Sequence, residues 1–461
     1  MANYKSMSVA AHHLSAKMSI LYKASMALAL VGVFVLFSAW FSNMAYDSVP
    51  LLTFSLLSMA LGILGITYSL YADRHAGIKN NGVWHDNLTS RGTIAWASGI
   101  ILTAFYVILY WYPQVLGLGA DGSANTGLIR LFDPLSKALN GKQASQWFVY
   151  GALYTFVILF LGIKFIVKYR HNKYQIYRTI SIIFFQTFIA FLLPEVLQSL
   201  NLPYNDFKNI WPLNYYFFFD WHLDELQANG TFGIFILVWG ILSFLVFTPI
   251  LTYFFGKRWY CSWVCGCGGL AETAGDPFRH LSDKSVKSWK IERYLIYSVL
   301  VFAVVMTVGV LYTRFTGNEK FLFVGSDALS SWYGFYIGAI FSGIVGVGFY
   351  PLMGSRVWCR FGCPMAAYLG IFQRKASKFR ITTNGGQCIS CGNCSTYCEM
   401  GIDVKSYAQQ GQDIVRASCV GCGICSAVCP RGVLRLEDGS GDIGSRAQEK
   451  RNVLFDELLN Q

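Results

Sequence analysis

The sequence predicts an all-α polytopic membrane domain of about eight transmembrane helices, joined to a small α+β domain built around clustered cysteines. Three observations carry this. Eight apolar segments are each long enough to cross about 30 Å of hydrocarbon. Of the 461 residues 54% are hydrophobic and only 13% charged, against roughly 25% charged in soluble domains. Eight of the thirteen cysteines fall between Cys388 and Cys429, and none precedes Cys261.

The apolar segments are expected at 24–44, 50–71, 92–112, 147–166, 179–200, 231–255, 294–312 and 332–353. The first is long enough to span and no small-residue cleavage site follows it, so a cleaved signal peptide is not expected. Basic residues gather on alternate connections: Arg74, Lys79 and Arg91, then Lys168 to Arg178, then Lys257 to Arg293. The loop 201–230 has only Lys208, against Asp206, Asp220, Asp224 and Glu225. Under the positive-inside rule both termini and the cysteine-rich domain are expected on the cytoplasmic side. The same rule accounts for the net charge of +12, and no nucleic-acid partner is expected.

Gly117-x-Gly119-x-x-Gly122 formally matches a dinucleotide fingerprint. No strand precedes it, so it reads as a flexible loop. The aromatic-rich loop 209–222 reads as an interfacial belt; a pocket closed by His222, Asp220 and Asp224 is the sharper alternative.

Two stretches repeat one pattern, G-x-R-x-(aromatic)-C-x-x-x-C. One runs from Gly256 through Arg258 and Tyr260 to Cys261 and Cys265. The other runs from Gly354 through Arg356 and Trp358 to Cys359 and Cys363. Residues four apart share one helix face, so each copy is expected to offer two adjacent thiols, and two facing copies four. Four thiolates suit an iron–sulfur cluster. Binding of a soft ion such as Cu(I) and plain burial as small hydrophobes are the alternatives, while a disulfide is disfavoured on the reducing side. Arg258 and Arg356 either steady an anionic cluster or meet lipid headgroups.

The strongest signal is the double run Cys388-x-x-Cys391-x-x-Cys394-x-x-x-Cys398 and Cys419-x-x-Cys422-x-x-Cys425-x-x-x-Cys429-Pro430. In two-cluster bacterial-type ferredoxins the fourth cysteine of each run ligates the other cluster. That assigns Cys388, Cys391, Cys394 and Cys429 to one [4Fe–4S] cluster, and Cys419, Cys422, Cys425 and Cys398 to the other. Small strands are expected at 379–383, 414–417 and 432–436. Gly392, Gly421 and Gly423 let the backbone approach the sulfurs. Glu399 stands where proline is usual, altering the local turn or adding charge.

Over residues 174–436 these motifs together resemble the membrane-bound polyferredoxin family that includes NapH, NosR and CcoG. The second motif, Cys359 to Pro364, fits the family's C-x-x-x-C-P in full. The first departs, with Gly266 in place of proline and an extra thiol at Cys267. The resemblance implies electron exchange with the quinone pool, or reduction of cupric ions for metalloenzyme assembly. It suggests four regions: 1–173, without counterpart; 174–377, the membrane core; 378–437, the ferredoxin; and 438–461, a tail with a short helix at 446–459.

No C-x-x-C-H occurs, and all seven histidines fall outside the expected spans, which argues against haem. Glu195, beside Pro194, is the notable carboxylate within a span. It is either an interface residue or a proton acceptor for quinol; with His222 it completes the catalytic candidates. The expected function is electron transfer between cytoplasmic clusters and a quinone pool or other redox partner in or beyond the membrane. A metal-ion reductase and a non-catalytic redox-sensing or anchoring subunit are the alternatives.

Overall fold

The structure, a computed structural model, describes residues 20–41, 48–72, 90–120 and 123–438. The expected tail helix at 446–459 lies outside them. The described chain is mostly helical, with eight helices long and apolar enough to cross a membrane. They are α1 (Ile20–Phe41), α2 (Ser48–Tyr71), α3 (Thr93–Trp111), α4 (Gln146–Lys168), α5 (Lys173–Ser199), α6 (Gly230–Phe255), α7 (Val286–Thr316) and α8 (Ser326–Gly348). Their outward faces keep large apolar side chains exposed, such as Phe34, Ile101, Ile234 and Val301, as lipid contact requires.

Helices α5 and α7 start six to eight residues before the apolar segments do. Apolar composition locates the hydrocarbon, whereas capping locates the helix. The Asn172 side chain accepts from Gln175 N and the Ser285 hydroxyl from Ser288 N, so both helices begin among polar residues. At 31 residues α7 is about 46 Å long and projects beyond the bilayer core. Helices α5 and α6 widen into π-helix at Phe185–Leu192 and Ser243–Phe247. Pro194 and Pro249 follow directly, and a proline that cannot donate loosens the preceding ladder.

Helices α1 and α2 form a hairpin on small residues. A Cβ at Gly62 would meet Ala29 at 2.6 Å, and Ser55 Oγ donates to Gly32 O, the close approach that drives helix pairing in lipid. Helix α3 crosses the end of α8 where Gly99 meets Gly348. The segment expected as a flexible loop around Gly117 is instead part of a packed cap. The short helices Gly127–Leu131 and Asp133–Asn140 bury Leu128, Ile129, Leu131 and Phe132.

The loop between α5 and α6 turns back into the bundle. Trp211 Nε1 donates to Thr307 Oγ1 of α7 at 3.0 Å, and Tyr333 Oη of α8 to Pro212 O at 2.9 Å. Asn205, Asn214, Phe217, Phe219 and His222 are buried. Irregular backbone is tolerated at this depth because protein surrounds it.

The C-terminal domain pairs β1 (Phe379–Thr383) antiparallel with β2 (Leu434–Asp438), Ile381 opposite Leu436. The expected third strand at 414–417 is reduced to one bridge, Ile414 to Ile381. Beyond it the chain turns to the membrane helices: Lys257 Nζ donates to Ala417 O, and Arg416 lies over Trp289. The domain is clasped to the helix ends by Lys378 N to Tyr253 O, Gln175 Nε2 to Cys422 O and Ser262 Oγ to Val420 O, at 2.8–2.9 Å.

The glycine that opens each repeat now has a reason. Gly256 has φ +66° and ψ −178°, Gly354 φ +95° and ψ 166°, a region open essentially to glycine alone. A Cβ on Gly256 would stand 2.5 Å from Gln373 Oε1 and 2.9 Å from Phe379 Cβ. Gly256→Ala is therefore expected to lower the thermal midpoint of the purified chain by more than Gly141→Ala does. Gly141 also has positive φ, but in the left-handed helical region and with open space around it, so that control carries a backbone cost of only about 1–2 kcal/mol.

Candidate metal centre

The two repeats build matching thiol pairs, though not on one helix face as expected. Cys261 ends a helical turn, Arg258–Cys261, and Cys265 is the extended N-cap of the next helix, Gly266–Thr273. Cys359 lies in Val357–Phe361, and Cys363 is the N-cap of Pro364–Lys375. The break follows from hydrogen bonding: Cys265 N donates to Tyr260 O and Cys363 N to Trp358 O, five residues back, which ends each turn. The second cysteine of each pair thus faces free N–H groups. Ala366 N donates to Cys363 Sγ at 3.4 Å, and the Gly268 N–H helps hold Cys265 as a thiolate.

All four cysteines lie buried in one core cluster. Arg356 Nη1 joins the copies, donating to Cys261 O at 3.1 Å and Cys359 Sγ at 3.7 Å. The neighbouring Cys267 thiol lowers the Cys265 pKa, whereas burial pushes Cys261 up to about 12. Burial also raises Cys359 and Cys363, and the neighbouring sulfurs raise Cys363 further. Such thiols ionise when a metal supplies the missing positive charge. A tetrahedral thiolate site with bonds of about 2.3 Å sets its sulfurs about 3.8 Å apart. Among the described residues no three cysteine sulfurs lie within 4.8 Å of one another. Four buried thiols drawn from two facing repeats are a donor set of the kind an iron–sulfur cluster takes.

The turned-back loop reaches this centre from the far side. Tyr260 Oη donates to Lys208 O at 2.9 Å, and Lys208 Nζ pairs with Asp206 at 3.0 Å. Burial works against the Lys208 charge, but Asp206 and the nearby Cys265 outweigh it and its pKa is raised. Gly266 fits the same picture. A Cβ there would meet Gln186 Oε1 at 2.6 Å, leaving no space for the proline ring found in the second copy.

In the C-terminal domain Cys388, Cys391, Cys394 and Cys429 line one cavity of about 360 Å³. Cys398, Cys419, Cys422 and Cys425 line another of the same size. Each cavity thus draws three cysteines from one run and the fourth from the other. Gly392, Gly421 and Gly423 all have positive φ. Ile402 N donates to Cys398 Sγ at 3.4 Å and Asn393 Nδ2 to Cys391 Sγ at 3.0 Å.

A buried ionic network lies between the two sets. Glu272 bonds Arg178, Arg279 (2.7 Å) and Arg356 (2.6 Å). Glu399 bonds Arg279 (2.6 Å) and Arg356 (2.9 Å), and Asp276 bonds Arg279 and Lys168. Arg178 and Arg279 also lie over the Phe165 ring of α4. The three arginines hold Glu272 well below the usual carboxylate range despite its burial. Cys422 brings its sulfur within 4.8 Å of the Glu272 and Glu399 oxygens. Glu399, flagged in sequence as a missing proline, is thus the ferredoxin's anchor in this network. Arg356 is wholly buried, which rules out a lipid-headgroup role, and its repeat partner Arg258 stacks on Phe379 of β1 at 4.1 Å. Arg178, Glu272 and Arg279 were missed. Glu272 is a lone carboxylate in a glycine-rich stretch, whereas Arg178 and Arg279 read only as basic connections between spans.

The remaining candidates lie apart from the cysteines. Glu195 accepts from Asn140 Nδ2 at 2.5 Å and ties α5 to the cap. His222 is buried with Nδ1 3.1 Å from Phe217 O. Asp220 and Asp224 pair with Arg314 rather than with His222, so the proposed three-residue pocket does not form.

Two outcomes follow. Glu272→Gln leaves Arg178 without its carboxylate and takes one of the carboxylates from each of Arg279 and Arg356, and the chain is expected to lose about 3–5 kcal/mol of stability, read as a fall in its thermal midpoint. Burial pushes His222 below its usual value, so the folded loop binds fewer protons than the unfolded one. Docking is then complete above pH about 6.5 and weakens as pH falls. Tryptophan fluorescence beside Trp221 is expected to change on acidification in the native chain and to stay flat in His222→Phe.

Comparison with known proteins agrees with this chemistry. The family pattern described as "4Fe-4S dicluster domain" matches residues 387–434. The pattern "4Fe-4S binding domain" matches twice, at 237–285 and 334–382, once over each repeat. The Escherichia coli (strain K12) protein named "Putative electron transport protein YccM" is 25% identical over 194 residues, covering 37% of this chain and 47% of its own. The chain thus spans about half the length of that curated relative. No solved structure matches it. The chain carries 4Fe–4S ferredoxin-type domains on a multi-pass helical domain.

Proposed function

We propose that this protein is a membrane-bound polyferredoxin of the NapH, NosR and CcoG type, exchanging electrons between ferredoxin clusters and the quinone pool. Cys388, Cys391, Cys394 and Cys429 hold one [4Fe–4S] cluster, and Cys398, Cys419, Cys422 and Cys425 the second. Cys261, Cys265, Cys359 and Cys363 hold a third at the membrane edge. When bound, the clusters supply one-electron storage and transfer. The residues fix their separation and charge: Arg356 and Lys208 offset negative charge at the membrane thiols, and Glu399 fastens the ferredoxin against them.

The observation that carries this reading is the Arg356 guanidinium, bonded at once to Cys261 O, Cys359 Sγ and Glu399. The proposed orientation is that of a bacterial inner membrane with termini and ferredoxin cytoplasmic. It rests on the basic residues at the ferredoxin end of the bundle and the acidic ones in the opposite loop. The division at residues 173, 377 and 437 is proposed with it.

Iron analysis with paramagnetic resonance tests the third cluster. The chain is expected to carry about four irons beyond the roughly eight of the ferredoxin. Cys359→Ala is expected to lose about four irons and leave the ferredoxin signals in place. A count near eight in the native chain rules the third cluster out. Reduction of the clusters by a soluble quinol analogue then tests the quinone assignment.

A further inference from the structure

A cleft of about 850 Å³ opens between the start of α7, the helix Pro364–Lys375 and the ferredoxin loop 415–418. It is separate from both ferredoxin cavities, and Cys359 contributes to its wall. Five cations line it, Lys257, Arg293, Arg360, Arg374 and Arg416, against one carboxylate, Glu292.

Two of the cations are built into the wall. Arg360 is 3% exposed; its Nε donates to Glu292 at 2.7 Å and Nη1 to Asp283 O at 2.7 Å. Its Nη2 is buried without a hydrogen-bond partner. Lys257 is 2% exposed and gives Ala417 O one bond at 3.1 Å. Trp289 orients two more: Arg416 lies over its ring at 4.4 Å and Arg293 at 5.3 Å. Glu292 offsets one charge, and among the described residues no carboxylate lies within ion-pair reach of Arg293, Arg374 or Arg416. A buried guanidinium with an unmade bond is costly, and mutually repelling cations around one cleft are too. A polyvalent oxyanion relieves both, accepting from Nη2 and the rim at once.

The cleft also sits at the right depth. The apolar part of α7 begins near Tyr294 and Trp289 precedes it by five residues, an interfacial position. Basic pockets beside transmembrane helices at this level recognise lipid phosphates.

We propose that this cleft is a phosphate-binding site that closes α7 onto the ferredoxin loop. The phosphate comes either from an anionic phospholipid headgroup or from a soluble phosphate-bearing molecule. The site requires neither a quinone partner nor a third cluster.

The test uses the full chain with its iron in place. In one arm, vesicles of phosphatidylcholine with or without phosphatidylglycerol supply lipid, and native mass spectrometry counts the phospholipid retained. In the other, inorganic phosphate is titrated calorimetrically into detergent-solubilised chain. Retained phosphatidylglycerol identifies a lipid source, and phosphate binding without lipid retention a soluble one. In either case the double variant Arg374→Gln/Arg416→Gln is expected to weaken binding about fivefold per charge removed, with iron content unchanged. Arg360→Gln is expected to weaken it further, with iron content read alongside as the check on folding. The proposal is overturned if neither ligand binds, or if the double variant binds as tightly as the native chain.

Discussion

The architecture turns on a set of charges that meet where water is absent. Glu272 and Glu399 each bind two or more arginines, and Arg356 and Arg279 each bind both glutamates. A buried ion pair is weak evidence for net stability, but it penalises any arrangement that leaves a member unpaired. Here the members come from α4 and α5, from the segment 272–279 that follows the first repeat, from the second repeat and from the ferredoxin. Only one mutual placement of these parts satisfies all of them, so the network acts as a registry device between domains. Its position matters as much as its strength, because Arg356 and Cys422 carry it to the sulfurs on either side.

The loop between α5 and α6 supplies a second constraint from the opposite side. By descending to Tyr260 it brings Lys208 beside Cys265 and lines the core with Trp211, Tyr215 and Tyr216. The membrane thiols are thereby enclosed by protein rather than lipid. Charges near them act through a low-dielectric medium, where each is worth more than in water. The sequence departures in the first repeat belong to this loop's approach: Gly266 gives it space, and Cys267 lowers the pKa of the neighbouring Cys265.

The two repeats also show one motif serving two ends. Gly256 and Gly354 adopt the same glycine-only backbone, and both second cysteines cap a helix. The arginines then diverge. Arg258 stacks on a ferredoxin phenylalanine, whereas Arg356 turns into the ionic network. Duplication set the thiols in pairs, and the surroundings gave each copy its own neighbours.

The eight spans and a 4Fe–4S dicluster domain were legible in the sequence, because both depend on local pattern. Apolar length decides what can cross a bilayer, and cysteine spacing decides which sulfurs can wrap one site. Span boundaries were less legible, since Asn172 and Ser285 extend their helices past the apolar residues. The single helix face expected for each C-x-x-x-C, the third strand at 414–417 and the flexible loop near Gly117 did not appear. Backbone bonding and packing against distant segments overrode the local reading in each case. Which charges were buried, that an acidic, aromatic loop turned inward, and that Glu399 was an anchor rather than a lost proline were decided by tertiary structure alone. Their physical cause is contact between residues up to 121 positions apart, and no window of sequence contains both partners.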